Sequence, residues 1–299
     1  MKPPSPAQLA SPATAEPGSI THYENFPVAS WLCPPHLRAP IVAIYHFART
    51  ADDLADEGDF SANERLATLA QYAADLQQLD TTGEAAMLAH TAWPQVFGPL
   101  AVQLKAHQLP KPLLADLLSA FEQDIRMTQA QTCYADRAQL HDYCRRSANP
   151  VGRLLLHLYG VNDALALQQS DAICTALQLI NFWQDLSQDL PRQRQYLTDA
   201  DLARHGLARS AIKPEAADLS PALQGLLIQL NKDARSLMMQ GAPLVHKLPG
   251  RAGWELRLVI QGGLRILDRL DILQGLNLYQ RIKLGKFDLP VMAWRTLWM

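Results

Sequence analysis

The sequence predicts an all-α protein built as one domain of packed helices. Strand-type alternation is nearly absent, and apolar residues recur at helical spacing in seven segments. The breaks between those segments hold proline, glycine and short polar runs, none long enough to act as a linker between two folded units. With 299 residues, 48% of them hydrophobic, the chain can bury a sizeable core.

In order, helical periodicity runs over about 37–56, 62–79, 112–129, 136–159, 163–189, 221–241 and 251–281. Thr81-Thr82-Gly83 closes the second segment, and Pro110-Lys111-Pro112 opens the third. Gly160 separates the fourth from the fifth. A long irregular stretch, "LPRQRQYLTDADLARHGLARSAIKPEAADLS", leads to Ser220-Pro221, an N-cap and first-turn pair for the sixth. Residues 1–20, rich in Pro, Ala and Ser, read as a disordered leader, which leaves 21–299 as the folded domain.

The net charge of −2 gives no electrostatic footprint for nucleic acid. The four cysteines are far apart and lack CxxC spacing, so a reduced, cytoplasmic protein is expected. No uncharged apolar run approaches the roughly 20 residues of a membrane span, which leaves peripheral contact at the inner face of the membrane open.

The chemistry gathers in two acidic helix ends. In "IYHFARTADDLADEGD" a stripe of Ile41, Ile44, Tyr45 and Ala48 continues into Asp52, Ala55 and Asp56. Asp53 falls in another row, with His46 and Arg49, and is expected to face water together with Glu57 and Asp59. A solvated helix end would explain this segment alone. That reading weakens because "ALQLINFWQDLSQD" repeats the pattern: Ile173, Leu177 and Ile180 lead to Asn181, Asp185 and Asp189, with Gln178 on the same side. Carboxylates emerging from a core-facing stripe need a cation, since unpaired burial costs several kcal/mol. Arg49 is one candidate and a metal another. Hard oxygen ligands suit Mg²⁺, which keeps waters and completes its shell with substrate phosphate. Two such helices across an apolar cavity would suit a lipid diphosphate, whose ionisation needs its leaving group neutralised.

With these motifs in place, the chain resembles the squalene and phytoene synthase family over roughly residues 22–286. "AIYHFARTADDLADE" is similar to that family's first Asp-rich helix, "NFWQDLSQDLPRQRQYL" to its second, and "YQRIKLGK" to its last basic segment. The resemblance implies an isoprenoid-synthase-type helical bundle around a central apolar cavity. It implies that Asp52 and Asp56, and Asn181, Asp185 and Asp189, bind two or three Mg²⁺ ions, the four aspartates being catalytic. Arg49, Tyr45, Gln178, Arg194, Tyr196 and Arg281 match positions that contact the diphosphate or shape its pocket. "HYENF", "YCRRSANPVGRLLLHLYG" and "NFWQD" look most like the branch that turns presqualene diphosphate into hydroxysqualene in bacterial hopanoid biosynthesis. That implies loss of diphosphate, cation rearrangement and capture by water, with no nicotinamide cofactor and with coupling to the enzyme that makes presqualene diphosphate. Head-to-head prenyl condensation is the alternative within the family, and a non-catalytic helical scaffold the alternative outside it.

Some positions depart from the family pattern. Arg145 and Arg146 stand where most relatives carry an aromatic or small residue, so at least one, taken as Arg145, is expected to pair with the diphosphate or an acid. Asn25 stands where many relatives present serine or lysine to phosphate, and Gln184 removes an arginine from the second motif. His141 with Cys144, Phe182 with Trp183, and Gly262-Gly263 read as structural.

Overall fold

The computed structural model describes residues 33–79, 84–212, 220–273, 278 and 281–299, and every regular element among them is helical. The expected leader and Asn25 lie outside the described residues. The chain divides into two compact units, one up to Gln129 and one from Ala130.

The first unit comprises α1 (Pro35–Asp56), α2 (Ala62–Gln78), α3 (Glu84–His90), α4 (Pro94–His107) and α5 (Lys111–Ala130). Helices α3 and α4 were not expected from periodicity; the first is short, and Pro99 and Gly98 interrupt the pattern of the second. Proline starts α1 and α4, where its missing N–H costs nothing. Ser61 and Glu64 form a capping box that starts α2. At the core Phe47, Tyr72, Trp93 and Phe97 are fully enclosed, with the Tyr72 ring 5.1, 5.0 and 4.7 Å from the other three in that order. The Tyr72 hydroxyl donates to the Phe47 carbonyl at 3.1 Å, satisfying a buried polar atom.

The second unit holds α6 (Arg137–Ser147), α7 (Asn149–Leu158), α8 (Ala164–Gln184), α9 (Leu186–Asp189), α10 (Asp199–Arg204), α11 (Pro221–Gly241), α12 (Arg251–Leu273) and α13 (Asp288–Thr296). The helix expected over 136–159 is broken at Ala148, because Pro150 lacks the N–H that would continue it. Of the helix expected over 251–281, Arg251–Leu273 is helical, 274–277 and 279–280 lie outside the described residues, and Arg281 lies in a non-helical segment leading to α13. Helix α8 is the spine, packed by α6, α7, α11 and α12. Its neighbours approach closely where they carry glycine. A Cβ on Gly241 would lie 2.5 Å from the Gln169 carbonyl, and one on Gly263 would lie 2.9 Å from Met238 and 3.1 Å from Leu177. The packing role read for Gly263 is therefore borne out.

Candidate active site

The first acidic motif occupies the last two turns of α1. Successive helical residues turn by about 100°, and the face that is actually buried runs through Leu37, Ile41, Ile44, Phe47, Ala51 and Leu54. This is a correction: the core stripe is rotated away from Tyr45, Ala48 and Asp52, because Phe47 enters the aromatic cluster shared with α2 and α4. Tyr45, Arg49, Asp52 and Asp56 share the flank beside the core, with Tyr45 and Asp52 half-buried and Asp56 exposed.

Arg49 lies 3.3 Å from Asp52, 2.7 Å from Asp53 and 3.0 Å from Glu57. Asp53 is thus not the surface charge expected of it, being as shielded as Asp52 (39% against 41% exposed). Burial opposes the Arg49 charge, but Asp53, Asp52 and Glu57 outweigh it and raise the guanidinium pKa. Burial pushes the Asp53 carboxyl above its ordinary range, and repulsion from Glu57 and Asp56 adds to this against the pull of Arg49. Arg49 is thus shared by three carboxylates gathered at this helix end. A divalent cation fits such a donor set.

The turn beyond the motif is held by Arg65 of α2. Its Nε and two Nη atoms donate to the carbonyls of Phe60, Glu57 and Gly58 at 3.2, 3.0 and 2.6 Å. Gly58 makes the turn at φ +81°, a conformation costly for a side chain.

The second motif ends α8. Gln178, Asn181, Asp185 and Asp189 are all half-buried and follow one another at turn spacing. The helix is interrupted at Asp185, whose backbone N–H still donates to the Asn181 carbonyl at 2.8 Å, and it restarts as α9. Backbone N–H groups of Arg192 and Arg194 both donate to the Asp189 carbonyl at 3.0 Å, through a turn with Gln193 at φ +61°, so Arg194 is brought back to the motif. Tyr196 is buried and stacks on Phe182 at 3.6 Å, with Tyr134 and Tyr143 beside it. Phe182 and Trp183 are both core, as read.

Arg281 reaches this motif from residues far along the chain, its Nε 2.6 Å from Asp185 Oδ1. Next to it Gln184, which sequence reasoning noted only for the arginine it replaces, is buried and donates to the Ile282 carbonyl. The segment is fastened further on by Asp288, fully enclosed, which accepts from Arg265 Nε at 2.7 Å, Arg269 Nη2 at 2.6 Å and the Gly285 N–H at 2.6 Å. Asp288 was missed, although a lone acid in "RIKLGKFDLP" was the signal for it.

Arg145 stands apart on an exposed face, where its Nε and Nη2 bond Asp142 at 3.0 and 2.8 Å and Arg146 shares the same carboxylate. Of the two partners anticipated for it, Arg145 takes the acid. His141 is exposed and Cys144 buried, and among the described residues neither belongs to a group of His, Cys, Asp or Glu side chains that could hold a metal. A depression of about 160 Å³ between α2 and α5, lined by Leu66, Leu69 and Leu118, holds no candidate residue. Among the described residues no three His, Cys, Asp or Glu side chains converge on one point. Mg²⁺ does not require such a cage, since one or two carboxylates and substrate phosphates suffice.

Comparison with known proteins gives these motifs a context. The chain is 31% identical to a hydroxysqualene synthase of Rhodopseudomonas palustris, over 97% of this chain and 93% of that one. It is 28% identical to a presqualene diphosphate synthase of the same organism, over 70% of each. The crystal structure of the squalene synthase HpnC from Alicyclobacillus acidocaldarius is similar with a TM-score of 0.72 and 33% identity, covering 85% of this chain and 90% of that one. Residues 21–288 match the squalene/phytoene synthase family, a span that includes both acidic motifs and Arg281, and the chain belongs to that family.

Proposed function

We propose that this protein converts presqualene diphosphate to hydroxysqualene, as a carbon–oxygen lyase acting on a phosphate ester. The supporting observation is the similarity to the two Rhodopseudomonas palustris proteins: the match to the hydroxysqualene synthase spans nearly the whole chain, and the match to the presqualene diphosphate synthase is shorter and weaker. The domain that carries this activity is taken as residues 21–299. A partnership in sequence with a presqualene diphosphate-forming enzyme follows from the substrate.

In this reading Asp52 and Asp56, and Asn181, Asp185 and Asp189, hold two or three Mg²⁺ ions. Mg²⁺ supplies Lewis-acid neutralisation of the departing diphosphate. Arg49, Arg194 and Arg281 add positive charge, and Tyr45, Gln178 and Tyr196 shape the surrounding pocket. Asn25 completes the proposed diphosphate contacts, whereas Arg145 is engaged by Asp142. The carbon–oxygen bond breaks with its electron pair going to the diphosphate. The cyclopropylcarbinyl cation rearranges, and water adds with loss of a proton. No electrons are gained or lost overall, so no nicotinamide cofactor takes part. We place this chemistry in the cytoplasm at the inner membrane face.

Turnover of presqualene diphosphate in H₂¹⁸O should give an alcohol carrying ¹⁸O by mass spectrometry. An alcohol without the label, or none at all, sinks the proposal. The squalene synthase name of the similar crystal structure favours a second reading, head-to-head condensation. Farnesyl diphosphate alone would then give a C30 product, where our reading expects none. Asp185→Asn should lower kcat by about 100–1,000-fold, the range seen when one charge-stabilising contact is removed. Undiminished activity in either Asp52→Asn or Asp185→Asn would remove that residue from the metal site, whereas no turnover of any prenyl diphosphate by the folded wild-type protein would favour a non-catalytic scaffold.

A further inference from the structure

We propose that residues 284–298 dock on the surface of a bilayer containing anionic lipid. The observation is a face of exposed rings. Phe287, Trp294 and Trp298 are 91%, 63% and 75% exposed; Trp294 lies on α13, Phe287 caps its start and Trp298 sits in the turn after it, at spacings of seven and four that keep to one helical side. The opposite side, Asp288, Met292 and Thr296, is buried. Leu284 and Leu297 are exposed near the rings, and Trp294 and Trp298 meet edge to face at 5.9 Å. Large apolar patches on a surface mark an interaction site, and tryptophan suits the boundary between headgroups and acyl chains.

Charge identifies the occupant. Lys283 and Lys286 are exposed beside the rings, and Arg295 is exposed too but is engaged by Asp268 at 2.6 Å, so the two lysines carry the available charge. The single acid between residues 281 and 299 is Asp288, which is enclosed and bonded to two arginines. The surface of this segment therefore presents aromatic and basic groups with no exposed carboxylate, the pairing that binds an anionic membrane interface. The same segment starts at Arg281 on Asp185, so docking would bring the second acidic motif near the bilayer. This deepens the proposed function, on which its significance rests, since presqualene diphosphate and its product are both lipids.

Vesicle flotation of the full chain tests the proposal without any turnover. Vesicles one-third phosphatidylglycerol should carry the protein, and neutral phosphatidylcholine should carry about tenfold less. Raising salt should weaken binding, because charge attraction at a surface is screened. Phe287→Ser/Trp294→Ser/Trp298→Ser and Lys283→Glu/Lys286→Glu should each lose at least about tenfold in binding while keeping wild-type circular dichroism. Should the triple variant misfold, brominated lipid should still quench the tryptophan fluorescence of the wild-type protein, and unquenched fluorescence overturns the proposal. No flotation at low salt overturns it too, as does equal binding by a folded triple variant. A dimer in light scattering that the triple variant abolishes, without flotation, assigns the face to a second copy instead. Protection of 284–298 from hydrogen exchange that disappears when residues 1–20 are deleted assigns it to that segment. Flotation without hydroxysqualene formation would leave the docking face standing and remove only the catalytic reading.

Discussion

Replacing Asp288 with asparagine should destabilise the second unit by about 2–3 kcal/mol. Breaking a buried ion pair costs about 3–5 kcal/mol when the partner is left enclosed. Arg265 and Arg269 are 23% and 34% exposed, so both guanidinium groups can recover some hydration and the cost falls to the bottom of that range or just below it. An asparagine can accept from one arginine, but its NH₂ would then face the other or the Gly285 N–H. For a unit of this size the loss lowers Tm by about 4–12 °C, measured by scanning calorimetry. The pH dependence is a stricter check. Burial would raise the Asp288 pKa, but the Gly285 N–H, Arg265 and Arg269 outweigh it and hold the carboxyl below its ordinary range. A carboxyl with a depressed folded-state pKa contributes stability that is complete above the unfolded value of about 3.9 and is lost as pH falls through the folded one. The Tm gap between wild type and variant should therefore be flat from about pH 5 to 8 and close only below about pH 4. A gap that closes between pH 5 and 7, or is absent, refutes this account of Asp288.

Two paired substitutions test other parts of the structure. Gly241→Ala should cost about 1–3 kcal/mol, because its Cβ meets the Gln169 carbonyl at 2.5 Å, whereas Gly225→Ala, in open space within the same helix, should gain about 0.5–1 kcal/mol; denaturant unfolding reads both, and equal effects would remove the close-packing argument for α8. Asp52→Asn should abolish turnover, whereas Asp53→Asn, whose carboxylate is engaged by Arg49 at 2.7 Å, should retain activity within about tenfold; the reverse order in steady-state kinetics would exchange their roles.

The all-helical class was legible because helical periodicity survives in a single sequence, and both acidic motifs were legible because each prolongs such a pattern. The rotation of α1 was not. Ile41, Ile44, Tyr45 and Ala48 form as plausible a stripe as the one that includes Phe47, and only Tyr72 and Phe97, in other helices, decide between them. The same limit hid Asp53: its shielding comes from Arg49 and the fold around it rather than from its register. The Asp288 anchor joins residues on two helices with an unremarkable intervening sequence, so its ligands could not be paired by spacing. Helix α4 escaped because Gly98 and Pro99 interrupt its apolar pattern, although packing against α1 tolerates both.

The two motifs obtain their arginines in different ways, and this has a measurable consequence. Arg49 stands one turn from Asp52 on the same helix, so α1 alone sets their spacing. Arg281 meets Asp185 only because the non-helical segment that carries it is held at one end by Gln184 on the Ile282 carbonyl and at the other by Asp288. Loosening Asp288 should therefore displace Arg281 without touching Asp185. Asp288→Asn should lower kcat at temperatures well below its Tm, and Arg281→Gln should lower it too. If both act through the position of Arg281, the double variant should be little worse than Arg281→Gln alone, with a coupling energy in the range of about 0.5–3 kcal/mol. Strict additivity of the two effects on kcat would mean that Asp288 stabilises the fold but does not position Arg281.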